Sequence, residues 1–242
     1  MPAAPTEHLH PRSAPNFDAI ARVYRVIEYL SFGPLLERCR VRFLADCAHS
    51  RRALVLGDGD GRFTARLLAA NPNIHVDAVD LSPAMLRLLQ RRAVRVRGEA
   101  RLQTLRADLR DFTPVGEYDL VVSHFSLDCF TERELDAMVA CILPHLTPRA
   151  TWLVSEFAIP RKGWRSAAAR ALIRALYFAF EKLTHLEIHS LPDYARVLTT
   201  HDFSLKRRIP SAGGLLVAET WQRAERPRLR DDLVSLGTTG DT

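Results

Sequence analysis

The sequence predicts an α/β fold, with helices on both faces of a mostly parallel sheet, and three observations carry that expectation. First, Arg52–Gly61 reads RALVLGDGDG: a short apolar run (Ala53, Leu54, Val55, Leu56) enters a turn with glycine at 57, 59 and 61, and a helical pattern follows from Arg62. Extended run, glycine turn and helix make the first crossover of a doubly wound sheet, because glycine lets the backbone turn tightly and approach a ligand closely. Second, Val76–Leu81 (VDAVDL) is another apolar run, ending in Asp80. An acidic residue about 20 positions beyond such a turn can take the two hydroxyls of a ribose. Third, apolar runs go on alternating with helical patterns as far as Phe157, and that alternation builds a parallel sheet.

Taken in order, residues 1–15 hold Pro2, Pro5, Pro11 and Pro15 with few large apolar groups, and are expected to be disordered. Residues 16–49 form a helical cap. Phe17, Ile20, Ala21, Tyr24, Ile27 and Leu30 recur at helical spacing behind Asn16, Ser31–Pro34 stops that helix, and a second runs from Leu35 to about Ala48. Residues 50–160 are the ligand-binding core. Its strands are Arg52–Leu56, Ile74–Asp80, Leu102–Arg106, Tyr118–Ser123 and Trp152–Phe157. Between them lie a helix from Arg62 to Ala70, stopped by Asn71–Asn73, a helix capped by Ser82 with Pro83 in its first position, and a helix capped by Thr131.

Residues 161–223 complete the domain. Ala167–Leu183 is apolar nearly all round, with Arg170, Arg174 and Glu181 as punctuation. Such a helix is buried, or it faces an apolar ligand or a membrane surface, with Trp164 just upstream. LPDYARVLTTHDF then reads as a helix, and SLKRRIPSAGGLLVAETWQR as an antiparallel hairpin with Gly213–Gly214 in or near its turn. The hairpin brings the sheet to seven strands. Residues 224–242 are a polar, flexible tail.

Composition narrows the class. With 242 residues and 47% hydrophobic content, the chain can bury one good core. No apolar run reaches membrane-span length, and the N-terminus lacks a secretory layout. Cys39, Cys47, Cys129 and Cys141 form no CxxC pair and no metal spacing, so reduced thiols in a cytoplasmic protein are expected. The net charge of +6 is carried almost wholly by arginine spread along the chain. Without a basic stripe interleaved with aromatics, nucleic acid is not an expected partner.

The glycine spacing selects among nucleotides. It is Gly-x-Gly-x-Gly, whereas a dinucleotide fingerprint would need glycine at the position of Arg62. Asp58 and Asp60 between the glycines sit badly against a pyrophosphate and suit a ligand with positive charge, such as a sulfonium and an ammonium group. That points to S-adenosyl-L-methionine. ALVLGDGDGRF, AVDLSPAML, RADLRDF and YDLVVSHFSLDCF, in this order over residues 50–160, resemble the class I S-adenosylmethionine-dependent methyltransferases, which have a Rossmann-like sheet. One departure is Val55, at a place where the family usually carries an acid; Asp58 inside the turn is the candidate to stand in for it. NFDAIARVYRVIEYLSFGPLLERCR and the Leu-Pro-Asp and Gly-Gly segments near the end are similar to ubiquinone/menaquinone-biosynthesis C-methyltransferases.

The resemblance implies a set of contacts. Gly57, Asp58, Gly59 and Gly61 would approach the cofactor, Asp80 its ribose and Asp108 its adenine amino group, with Leu81, Leu109 and Ser123 beside them; Tyr24 would lie near the methionine part. His124 and Asp128 follow the fourth strand, where the methyl group and acceptor meet, and they are the candidate proton acceptors. Packing at a strand end and helix or loop capping are their alternative roles. The quinone enzymes usually carry a Gly-Leu-Arg-Asn type segment at the place that reads SHFSLDCF here. The expectation is therefore methyl transfer to a small apolar or aromatic acceptor, quinone or phenol being one case. Two alternatives stand: an RNA or protein methyltransferase, which would want a basic groove or an Asn-Pro-Pro-Tyr-like segment, and a silent cofactor-binding module, which Val55 would favour.

Overall fold

The computed structural model describes residues 33–158 and 192–224. The described elements are α1 (Gly33–Arg40), β1 (Arg52–Leu56), α2 (Arg62–Ala70), β2 (His75–Asp80), α3 (Pro83–Arg95), β3 (Leu102–Arg106), β4 (Tyr118–His124), α4 (Glu132–Ile142), β5 (Leu146–Phe157), α5 (Tyr194–Thr200), β6 (Phe203–Ser211) and β7 (Leu216–Arg223). The expected helix after Asn16, Tyr24, the apolar stretch 164–183, and the two terminal segments apart from Ala224 lie outside the described residues.

The strands form one seven-stranded sheet in the order β3-β2-β1-β4-β5-β7-β6. β1 pairs in parallel with both β2 and β4, and β4 in parallel with β5, while β7 runs antiparallel to β5 and β6. The expected doubly wound sheet with an antiparallel C-terminal hairpin is what forms. Strand order reverses between β1 and β4, and the crevice beyond their carboxyl ends is where such sheets bind ligands.

Alternate residues of the strands enter two separate cores. Leu54, Leu56, Val121, Trp152 and Trp221 pack beneath α4 and α5, whereas Ala53, Val55, Leu120, Val122 and Leu153 pack beneath α1, α2 and α3. β1 is buried on both faces, which is why it reads as an unbroken apolar run rather than an alternating one. Helix starts follow their capping chemistry. Ser82 Oγ accepts the Met85 N–H, Thr131 and Glu134 form a reciprocal capping box, and Asp193 accepts the Arg196 N–H to open α5.

Two boundaries differ from the sequence reading by several residues, and those of β2 and β4 by one. The second cap helix is shorter than expected: α1 ends at Arg40, and a tight turn at Leu44–Cys47 follows. This break lets both Phe43 and Cys47 enter the α1–α3 core, so packing overrides helical propensity. β5 begins at Leu146, six residues before the expected Trp152, because Tyr118 pairs with Leu146 ahead of a bulge in the ladder. Asn71, the expected stop after α2, is buried; its amide donates to Cys47 O at 2.9 Å and Ser50 O at 2.7 Å.

Candidate active site

The glycine turn joins β1 to α2. Gly57, Gly59 and Gly61 have φ of 68°, 59° and 77°, the left-handed region that other residues avoid. A side chain at Gly61 would meet Leu89 of α3 at 2.5–2.7 Å, so this glycine is required by the contact between α2 and α3. At Gly59 a side chain would meet no atom within 4 Å. That glycine leaves open space above the turn, as close approach of a ligand requires.

Asp58 lies between them. Its Oδ2 accepts the Thr64 N–H at 2.8 Å, closing the start of α2, while Oδ1 is buried with no partner among the described residues. Burial raises the Asp58 carboxyl from its ordinary value to about 6, against the smaller opposing pull of Thr64 and of the nearby Arg40 charge. An unpartnered buried carboxylate oxygen suits an ammonium group, whose charge and N–H would satisfy it. Asp60 is different: it pairs with Arg62 at 3.1 Å and Arg92 at 2.8 Å, so its charge is spent on α2 and α3. The sequence reading grouped both aspartates with a cationic ligand, and only Asp58 is placed for it.

Asp80, Leu81 and Asp108 follow one another along the same edge of the sheet. Asp80 ends β2 and accepts the Ser82 N–H at 2.8 Å; Leu81 follows it, half-buried. Asp108 follows β3 and pairs with Arg110 at 3.1 Å, Arg110 reaching on to Glu134 at 2.9 Å. Leu109 belongs to the core beneath α4 rather than to the edge. Ser123 is fully buried, and its Oγ accepts the Trp152 indole N–H at 2.9 Å, so its side chain is committed to the core.

His124 ends β4 on the opposite face from Ser123. It stacks edge-on to Phe63 with ring centroids 4.5 Å apart, and neither ring nitrogen has a partner among the described residues. Burial, helped by the Arg40 charge, pushes the imidazole down to about 3. A ring held in this way is neutral at physiological pH, which favours the packing role expected for His124 over that of a proton acceptor. Phe125 follows with φ 55°, its ring under the Arg40 guanidinium at 5.1 Å and 5.2 Å from Phe157.

Asp128 lies in the turn beyond and is nearly buried. Beside it stands Glu156, at the carboxyl end of β5, 1% exposed. Burial first, then the Asp128 charge, raises the Glu156 carboxyl well above its ordinary range. Glu156 and Arg40 received no role in the sequence reading. The signal for the first was a lone acid in the apolar run TWLVSEF; Arg40 carried none. Among the described residues no group of histidine, cysteine or acidic side chains could hold a metal ion.

Comparison with known proteins accounts for this arrangement. Residues 53–149 match a family described as a methyltransferase domain. Those residues, about two fifths of the chain, are thus similar to methyltransferase domains. Over 113 residues it is 36% identical to malonyl-[acyl-carrier protein] O-methyltransferase of Halorhodospira halophila, a match covering 46% of this chain and 37% of that protein. Over 111 residues it is 36% identical to trans-aconitate 2-methyltransferase of Rhodococcus jostii, covering 45% and 41%. The chain thus spans about two fifths of the length of these curated relatives. In three dimensions it is similar to mitomycin 7-O-methyltransferase MmcR, with a TM-score of 0.66, 16% identity, and coverage of 86% of this chain and 60% of that one. It is also similar to the N-methyltransferase NodS of Bradyrhizobium japonicum in complex with S-adenosyl-L-homocysteine, with a TM-score of 0.57, 14% identity, and coverage of 80% and 88%.

The cofactor that this methyltransferase domain implies is S-adenosyl-L-methionine. The residues present fit it: open space over Gly59, an unpartnered oxygen on Asp58, and carboxylates at the ends of β2 and β3. The comparisons leave the acceptor open.

Proposed function

We propose that the chain transfers a methyl group from S-adenosyl-L-methionine to a small apolar or aromatic acceptor with a neutral nucleophile, phenols and quinones being the first classes to examine. The observation that carries this reading is the glycine turn itself, open above Gly59 and lined by the unpartnered Asp58 oxygen at the switch point of the sheet. Bound there, the cofactor supplies an already activated methyl group. What remains for the chain is to bind, orient and exclude water. Asp58 takes the ammonium, Asp80 the ribose, and the turn at Gly59 accommodates the backbone approach. Phe125 and neutral His124 give the crevice apolar, dry walls.

The acceptor assignment rests on charge. The two curated relatives are named for malonyl and aconitate acceptors, both of which carry carboxylates. On this reading the acceptor comes to the ends of β4 and β5, near the buried Asp128 and Glu156, and a negative charge brought beside Asp128 would be repelled in a poorly solvated place. A neutral acceptor avoids that cost, and Asp128 is the candidate to receive a proton from one that carries it.

Calorimetric titration with S-adenosyl-L-methionine and S-adenosyl-L-homocysteine, with NAD and ATP as controls, tests the cofactor reading. Micromolar binding of the first two alone is expected, and it should vanish in Gly59→Arg while the fold survives. Binding of NAD or ATP instead, or wild-type affinity in Gly59→Arg, overturns the assignment. A screen of phenols, quinones and dicarboxylates for methyl transfer then tests the acceptor class, and turnover of the dicarboxylates alone would refute it.

A further inference from the structure

Glu156 is an expensive residue for its surroundings. It sits 1% exposed at the carboxyl end of β5 with a second carboxyl, Asp128, for a neighbour. A buried carboxylate is retained only when it is hydrogen-bonded and its position is specified by something else. Its bonds say what that is. Oε1 accepts two backbone N–H groups of the turn after β4, from Ser126 at 3.0 Å and Leu127 at 2.9 Å. Ser126 occupies the capping position of the short turn Leu127–Cys129, yet its own side chain makes no cap there. Its hydroxyl donates instead to Leu56 O at 3.0 Å, the last carbonyl before the glycine turn. Glu156 supplies the missing cap from another strand and leaves Ser126 Oγ free to bridge to β1.

The contact between the two turns is close. A Cβ at Gly57 would lie 3.1 Å from Ser126 Cβ. The residue linking β4 to this turn, Phe125, has φ 55° although it is not glycine, and its N–H is held by Ser155 O at 2.7 Å. A left-handed phenylalanine is strained and persists only where its surroundings over-determine it. β5 does this from two adjacent residues: the Ser155 carbonyl holds Phe125, and the Glu156 carboxyl holds the two residues after it.

We propose that Glu156 is a positioning residue for the site: through Ser126 it fixes the acceptor-side turn Phe125–Cys129 against the glycine turn, and so sets the spacing between acceptor and cofactor. The proposal rests on the cofactor reading above. It makes the carboxyl end of β5 part of the cofactor site, acting through Ser126. The shape of the side chain, rather than its charge, carries the role. Glutamine keeps an oxygen for the two N–H groups and is neutral, the form that burial and the Asp128 charge already favour for the Glu156 carboxyl. Aspartate falls one methylene short, and alanine removes the clamp.

The test is made on the full chain with Glu156→Gln, Glu156→Asp and Glu156→Ala. Affinity for S-adenosyl-L-homocysteine is read by calorimetry, stability by thermal melt, and backbone exchange by hydrogen–deuterium exchange of fragments spanning 53–61 and 121–130. Expected are affinity within threefold of wild type for Gln and a loss of tenfold or more for Asp and Ala measured on folded protein. In Asp and Ala both fragments should exchange faster together, in the absence of any ligand. A role confined to stability would lower the melting temperature and leave the affinity of the folded protein unchanged, and that result overturns the proposal. Should Ala not fold, the contrast of Gln with Asp decides. Should wild type bind no cofactor analogue, the cofactor reading fails by itself, and exchange decides the clamp: unchanged fragments in Asp and Ala overturn it.

Discussion

Binding of S-adenosyl-L-homocysteine should weaken about tenfold between pH 7 and pH 5, and Asp58 should be the cause. Its carboxyl titrates at about 6 in the free protein, raised chiefly by burial. If the ligand's ammonium requires the carboxylate, affinity follows the ionised fraction, roughly ten parts in eleven at pH 7 and one in eleven at pH 5. That ratio is about 1.4 kcal/mol. The ligand's amino group, with an ordinary value near 8, stays charged throughout. The same shift has an opposite consequence for stability. The folded value lies above the unfolded 3.8, so the contribution of the neutral carboxyl is present at low pH and is lost as the pH rises through about 6. Asp58→Asn keeps an oxygen for the Thr64 N–H and cannot ionise. It should melt higher than wild type at pH 7, by at most about 3 kcal/mol, bind the ligand at least tenfold more weakly, and show no pH dependence between 5 and 7. Calorimetry at three pH values and constant ionic strength, with melts alongside, reads all of this. A flat wild-type profile, or an Asn variant that binds like wild type, would refute the reasoning.

Gly61→Ala puts a methyl group within 2.7 Å of the Leu89 backbone at φ 77°, and should cost about 2–4 kcal/mol in denaturant unfolding. A loss near zero would mean that α2 and α3 can part freely. Asn71→Ala strips the amide from the carbonyls of Cys47 and Ser50 and should destabilise by about 2–4 kcal/mol, with cofactor affinity unchanged in the folded fraction. His124 should show no ring titration between pH 5 and 8 by NMR, since it is held neutral down to about 3. Its folded value lies below the unfolded one, so its contribution to stability is full above pH 6.5 and drains away as the pH falls toward 3. A midpoint near 6.5 would restore it as a candidate base.

What the sequence made legible was whatever depends on near neighbours along the chain. The glycine turn, the Ser82 and Thr131 caps, the stop at Asn71 and the Gly213–Gly214 hairpin each need only a few adjacent residues, and each is where it was expected. The placement of Asp80 and Asp108 at strand ends was legible for the same reason, because strand length and spacing fix it. Roles set by distant residues were not. Asp60 was read with Asp58 as part of one acidic turn, but Arg92, thirty-two positions on, claims it. Ser123 and His124 were read as one strand end, yet alternation sends Ser123 to Trp152 and His124 to Phe63, on opposite faces. Glu156 caps a turn thirty residues before it, which no local pattern announces.

The departure at Val55 is resolved by the same alternation. Val55 is 1% exposed in the core that holds Phe63 and Leu67, paired in the sheet with Ala78 and Val122. An acid there would be a buried charge among apolar side chains unless a ligand reached in to neutralise it. Asp58, three residues on, lies where the α2 N-terminus and Arg40 already offset part of that cost, and it retains one oxygen for a ligand. Carrying both acids would bring two like charges to one ammonium and raise the value of each further. On the proposed cofactor reading, an acid in the turn instead of the strand accounts for both the apolar Val55 and the aspartate at 58. It also predicts that Val55→Asp recovers cofactor affinity lost in Asp58→Asn only if the core around Phe63 yields, so a double variant that folds and binds like wild type would show the two positions to be interchangeable and the argument from burial to be wrong.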